Sequence, residues 1–143
     1  MPYIGGKTIK GLIRDGAEFV KEHSTLIDDD FINNVFGKED SDYQANKAAN
    51  PENKFTSAVL KEKINKEYAP LLYHTKERTA LEADKQSKKH SLRTTEVVIP
   101  LELQGKIENF TDDESKLKLV MKAVKKLGEK RFRGLGRCEI TID

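Results

Sequence analysis

The sequence predicts an α+β fold, and three observations predict it. Apolar residues recur at helical spacing near both ends of the chain, over residues 7–21 and 114–127. Between them, behind a basic turn, a return limb runs from Leu92 to Ile99, and Leu101, Leu103 and Ile107 beyond it have strand-like spacing. A loop of three glycines and three arginines, Gly128–Arg137, then leads into Cys138-Glu139-Ile140-Thr141-Ile142, a short strand. Helices and antiparallel strands in such blocks, not in strict alternation, read as α+β.

The first helix rests on Ile9, Leu12, Ile13, Ala17 and Val20, with Lys7, Lys10 and Arg14 on another face. Gly5 and Gly6 precede it. The backbone N–H groups and positive dipole end of such a helix suit a phosphate. Gly6-Lys7-Thr8 suggests a nucleotide-binding P-loop, but that pattern needs a glycine where Met1 stands and a buried strand before it, so ATP or GTP binding by that route is excluded. Asp28-Asp29-Asp30 predicts the cap of a short helix that buries Phe31, Ile32, Val35 and Phe36. Three adjacent carboxylates do not converge on one point, which argues against a cation site. Residues 38–54 read as an exposed, mobile insertion.

Phe55, Val59 and Leu60 suggest a short strand or turn. Residues 61–68 form a charged, weakly helical run that Pro70 ends. Thr79-Ala80-Leu81 opens a strand, and Lys85-Gln86-Ser87-Lys88-Lys89-His90 is the tip of a basic hairpin spanning residues 76–99. The return limb runs from Leu92 to Ile99. Past a bend at Pro100 come Leu101, Leu103 and Ile107. Thr111 with Glu114 forms a capping box for the second long helix, whose stripe is Leu117, Val120, Met121, Val124 and Leu127 and whose C-cap is Gly128. Three strands and two helices in this order fit a ferredoxin-like sheet without its first, central strand. Such a sheet would leave two strands unpaired across a gap. Either another segment fills the gap, or the sheet is rearranged, or the chain is truncated.

The 143 residues suffice for one domain with a modest core, since 36% are hydrophobic and 35% charged. No apolar run approaches the roughly 18 residues of a membrane span. The first residues lack the basic and apolar regions of a secretory signal. Cys138 is the only cysteine, so no intramolecular disulfide forms and a reducing cytoplasm is the expected location. The net charge of +2 hides an uneven spread. Residues 116–137 hold nine basic residues against one acidic, and residues 76–93 hold six against three. Residues 94–115 hold one basic against six acidic. Two positive zones on a near-neutral chain are how a polyanion is engaged. Lysine-rich helix faces and a glycine C-cap with a solvated turn are the bland account of each zone taken alone.

Three segments together resemble the RAMP superfamily, the repeat-associated subunits of type III CRISPR effector complexes. Residues 2–14, Pro2-Tyr3-Ile4-Gly5-Gly6-Lys7 through Arg14, are similar to its "YIPGSSLKGALR" segment, with Gly5 in place of proline. Residues 79–100, closing with Glu96-Val97-Val98-Ile99-Pro100, resemble its basic hairpin and "L…E-V-P" element. Residues 128–137 resemble its "G…RSRGLGR" loop, with Phe132 in place of a small residue.

The resemblance implies a ferredoxin-like RAMP fold, first strand missing or supplied by another chain, that grips guide RNA beside other RAMP subunits and touches no membrane. It implies backbone contacts from Gly5, Gly6, Lys7, Lys10 and Arg14, and from Arg131, Arg133, Gly134, Gly136 and Arg137. The tip around Lys85, Lys88, Lys89 and His90 would be a thumb between RNA segments. Lys, Arg and backbone amides are also what sequence-independent phosphate binding needs. With Phe132 as the loop's one aromatic, a backbone grip is expected and not base reading. The catalytic aspartate of RNA-cleaving relatives lies before the "YIPG" segment, and Asp15 does not match it, so cleavage by this chain is not expected. No metal and no cofactor are implied. Two rival readings stay open. One is a repeat-processing endonuclease using His23, His74 or His90, none of which has a motif partner. The other is a protein-interaction module.

Overall fold

Helix α1, Gly6–His23, buries the stripe the sequence marks. Ile13 and Ala17 are fully enclosed, Val20 nearly so, and Ile9 packs beside them. In this computed structural model the described residues are 1–38, 53–80, 86, 89–128 and 134–143. Most of the expected insertion, the tip residues Lys85 and Lys88, and the loop residues Arg131, Phe132 and Arg133 lie outside them.

Helix α2, Asp29–Phe36, starts as expected. The Asp28 carboxylate accepts from the Phe31 N–H at 2.8 Å, which satisfies a donor with no partner inside the helix. That bond, helped by Lys116, holds the Asp28 carboxyl below its ordinary range. Asp29 pairs with Lys21 at 2.7 Å. Two of the aspartates are therefore engaged in capping and ion pairing, and α2 turns Phe31, Ile32, Val35 and Phe36 into the core.

Helix α3, Glu114–Ala123, is shorter than the apolar pattern suggests. Its N-cap is Asp113 and not Thr111. The Asp113 carboxylate accepts from Ser115 N–H at 2.8 Å. The helix also stops before Gly128. Val124 is the C-cap in extended conformation, still buried, and Leu127 lies outside the helix. The reason is a competing ribbon. Leu127 N–H donates to the Gly136 carbonyl at 2.8 Å, and Cys138 N–H donates to the Lys125 carbonyl at 2.9 Å. The expected strand at residues 138–142 is not formed; among the described residues the ribbon's bridge is Lys126 with Arg137. Ile140 and Ile142 nevertheless pack on the core.

The strands are short: β1 Tyr3–Ile4, β2 Lys54–Phe55, β3 Ala58–Leu60, β4 Tyr73–Arg78, β5 Arg93–Val98, β6 Leu103–Gln104 and β7 Ile107–Glu108. The α+β class is what the structure has. Among the described residues its strands are shared among three small sheets, ordered β1-β3-β6, β2-β7 and β4-β5, with β3–β6, β2–β7 and β4–β5 paired antiparallel. The basic hairpin opens earlier than expected. Its first limb is Tyr73–Arg78, and Thr79 and Ala80 already lie past its end. Pro70 does not end a helix but sits inside a 3₁₀ helix, Lys66–Leu72. Such short turns lose one bond to a missing N–H and no more.

The chain divides into two compact units. The larger, Ile4–Ala58 with Gly105–Asp143, holds the core between α1, α2, β2 and α3. The Phe36 and Phe55 rings stack within it, centroids 6.0 Å apart. The smaller, Met1–Tyr3 with Val59–Gln104, carries the 3₁₀ helix and the β4–β5 hairpin, with Leu72 as its buried anchor.

Candidate nucleic-acid interface

The start of α1 is built on glycine. Gly5 is the N-cap, extended, with no side chain to satisfy the first turn. Gly6 presses against the Phe55 carbonyl of β2 so closely that a Cβ would collide with it. Its N–H donates to the Ser57 hydroxyl at 3.3 Å. One of the donors that the sequence offers to a phosphate is thus committed to the segment that follows β2. Lys7 is exposed, and Lys10 and Arg14 are half-buried one and two turns on. Burial, and then the neighbouring Arg14 charge, push the Lys10 pKa down. An anion laid along this face would relieve that strain by pairing with cations the fold already holds together.

The root of the glycine-arginine loop is more telling. The two hydrogen bonds of the ribbon flank Lys126 and Arg137 and do not join them. This is the non-hydrogen-bonded kind of antiparallel pair, in which side chains stand closest, about 4.5 Å between Cα atoms. Both residues are exposed, and both point to the same face. Like charges directly opposite are destabilising, so the fold spends stability to place two cations side by side. Gly136 makes this possible: its φ is +71° and a Cβ would strike the Leu127 carbonyl. Gly134, φ +78°, is exposed at the loop's edge, with open space around it. Gly136 is therefore a closing residue of the ribbon, and Gly134 a residue of the presented surface.

The β4–β5 hairpin sorts its charge by face. Its register pairs His74 with Val97, Lys76 with Thr95 and Arg78 with Arg93, and these pairs share one side. Tyr73 with Val98, Thr75 with Glu96 and Glu77 with Thr94 share the other. One face carries Lys76, Arg78 and Arg93 and no acid; the other carries both glutamates. The loop end is again a like-charge pair, Arg78 opposite Arg93. Beyond it the Ser91 hydroxyl accepts from Ala80 N–H at 3.0 Å and donates to Ala80 O at 3.3 Å. Lys89 and His90 form an exposed turn, His90 at φ 60°. Lys76, Arg78, Arg93 and Lys126 are cations that sequence reasoning did not single out. The signal for them was strand alternation, legible only once register is known.

The remaining reactive groups do not assemble into a centre. His23 Nδ1–H donates to the Phe19 carbonyl at 2.8 Å, and its ring stacks on Phe19. His74 and His90 are exposed on the hairpin. Burial pushes the Cys138 thiol up, against a weaker opposing pull from Lys125, so it stays protonated at neutral pH. Among the described residues no His, Cys, Asp and Glu grouping could hold a metal. No helix among them is long and apolar enough to cross a membrane.

An α+β protein with cations paired across two ribbons and along one helix start is equipped to bind a linear polyanion. The comparison with protein families narrows that class: the model of the RAMP superfamily matches residues 1–139, and the chain belongs to that superfamily. Membership points to a CRISPR-associated, RNA-binding role. A comparison with curated proteins returns no match.

Proposed function

We propose that the chain is a non-catalytic guide-RNA-binding subunit of a type III CRISPR effector complex, acting as one RAMP domain beside other RAMP subunits. It grips the RNA backbone through the ribbon at residues 125–138, with Arg131 and Arg133 in its loop, and through Lys7, Lys10 and Arg14 of α1. The hairpin, with Lys85, Lys88, Lys89 and His90 toward its tip, is the thumb. The observation that carries the reading is the Lys126–Arg137 pair: two cations held together at a cost that a bound phosphate repays. In the assembled complex a neighbouring chain extends the sheets from an open strand edge, in place of the expected first strand.

The test is single-stranded RNA binding as a function of salt, for the wild type and for Arg131→Ala/Arg133→Ala/Arg137→Ala. Each lost phosphate contact flattens the slope of log K against log salt by about 0.7, so the triple variant should lose affinity and about 2 units of slope. A triple variant that binds with the wild-type slope would remove the ribbon from the interface. Repeat RNA incubated in EDTA should stay intact; cleavage that disappears with a single histidine substitution would favour an endonuclease.

A further inference from the structure

Beside the ribbon, and within the larger unit, a groove of about 650 Å³ opens between α1 and the chain leaving α3. That lies in the range of small-molecule sites, about 300–1,000 Å³. Gly16 and Ala123 line it, and Gly16 lets α1 close on Val120 and Val124, where a Cβ would press against the Val124 side chain. Phe19 stands along it, 55% exposed, where a ring of that size is normally covered. Lys125 and Lys126 form one rim and Asp15 another.

We propose that this groove takes a single nucleobase of the bound RNA, stacked on Phe19. The inference rests on the RNA-binding reading above and goes further, because that reading invokes only the backbone. Three observations favour a base over an apolar protein segment. Phe19 is the one large exposed apolar side chain of the groove, too little for a protein partner but enough for one base. The Phe19 ring is already backed by His23, centroids 4.4 Å apart at 30°, so a base on its other face would complete a stack. The rim is continuous with the phosphate grip, since Lys126 belongs to both. Asp15 fits a base edge and not a phosphate, because a carboxylate repels a phosphate but accepts from a base N–H.

The chain has no tryptophan, which makes Phe19→Trp a clean reporter. The full chain carrying Phe19→Trp is titrated with single-stranded oligoribonucleotide, and Phe19→Ala is compared for affinity and salt slope. The expected results are quenching of the Trp emission on binding, wild-type affinity for Phe19→Trp, and a fall of about five- to a hundredfold for Phe19→Ala with the salt slope unchanged. RNA that binds without quenching, and equally to Phe19→Ala, overturns the base site and leaves the backbone grip standing. Failure of the wild type to bind RNA overturns both. Emission that ignores RNA but shifts to the blue as protein concentration rises gives the groove to a second copy of the chain, and likewise overturns the proposal.

Discussion

Lys126 and Arg137 show how a single cross-strand pair links stability to binding. Directly opposed like charges are destabilising, and the ribbon holds them at its closest kind of spacing. Gly136 permits the arrangement and should be its least replaceable residue. Gly136→Ala puts a side chain at φ +71° and against the Leu127 carbonyl, so denaturant unfolding should report a loss of about 1–3 kcal/mol. Gly134→Ala, with positive φ but open space, should cost less. Asp28 sets a pH dependence. Its carboxyl is held below the ordinary range by the Phe31 N–H, so its contribution is fully present above the ordinary aspartate pKa and is lost as pH falls through the lowered one. Asp28→Asn keeps a capping oxygen and removes the titration, and should flatten the acid limb of a melting-temperature profile.

At the scale of elements, the hairpin offers a test by faces. Lys76→Glu with Arg93→Glu reverses the basic face and should weaken single-stranded RNA binding and make its salt slope shallower. Glu77→Gln with Glu96→Gln, on the opposite face, should leave binding unchanged or slightly tighter. Fluorescence anisotropy across a salt series separates the two outcomes. In α3, Leu117 is fully enclosed, and Leu117→Ala should cost about 2–5 kcal/mol; Leu127→Ala, outside the helix and half-buried, should cost less.

These elements also show what the sequence could and could not reveal. Helices α1 and α2 were legible because a stripe such as Ile13, Ala17 and Val20 has only one explanation, and Asp28 is an unambiguous cap. The ends of α3 were not. Thr111 and Asp113 are both competent caps, and the apolar spacing runs on through Val124 and Leu127 although the chain has already left the helix. What ends α3 is the pairing of residues 125–127 with residues 136–138 across the glycine-arginine loop, and no helical pattern encodes it. Strands of two residues, such as β2 and β7, are too short to show alternation. The glycine-arginine loop was visible as composition. The cation pairs that frame it and the hairpin were not, because they exist only in a register.

For the whole molecule, a net charge of +2 conceals cations gathered on two ribbons and one helix start. Each gathering opposes folding slightly and favours a polyanion, so the free chain should be less stable than its residue count permits, and RNA should restore the difference. The superfamily match over residues 1–139 extends over both compact units. The most direct test is the melting temperature of the full chain with and without excess single-stranded RNA, for the wild type and Lys126→Glu. Lys126→Glu should melt higher than the wild type alone, because a repulsion becomes an attraction, and should gain less on adding RNA. A variant that melts no higher alone, or that gains as much from RNA as the wild type, would contradict this expectation.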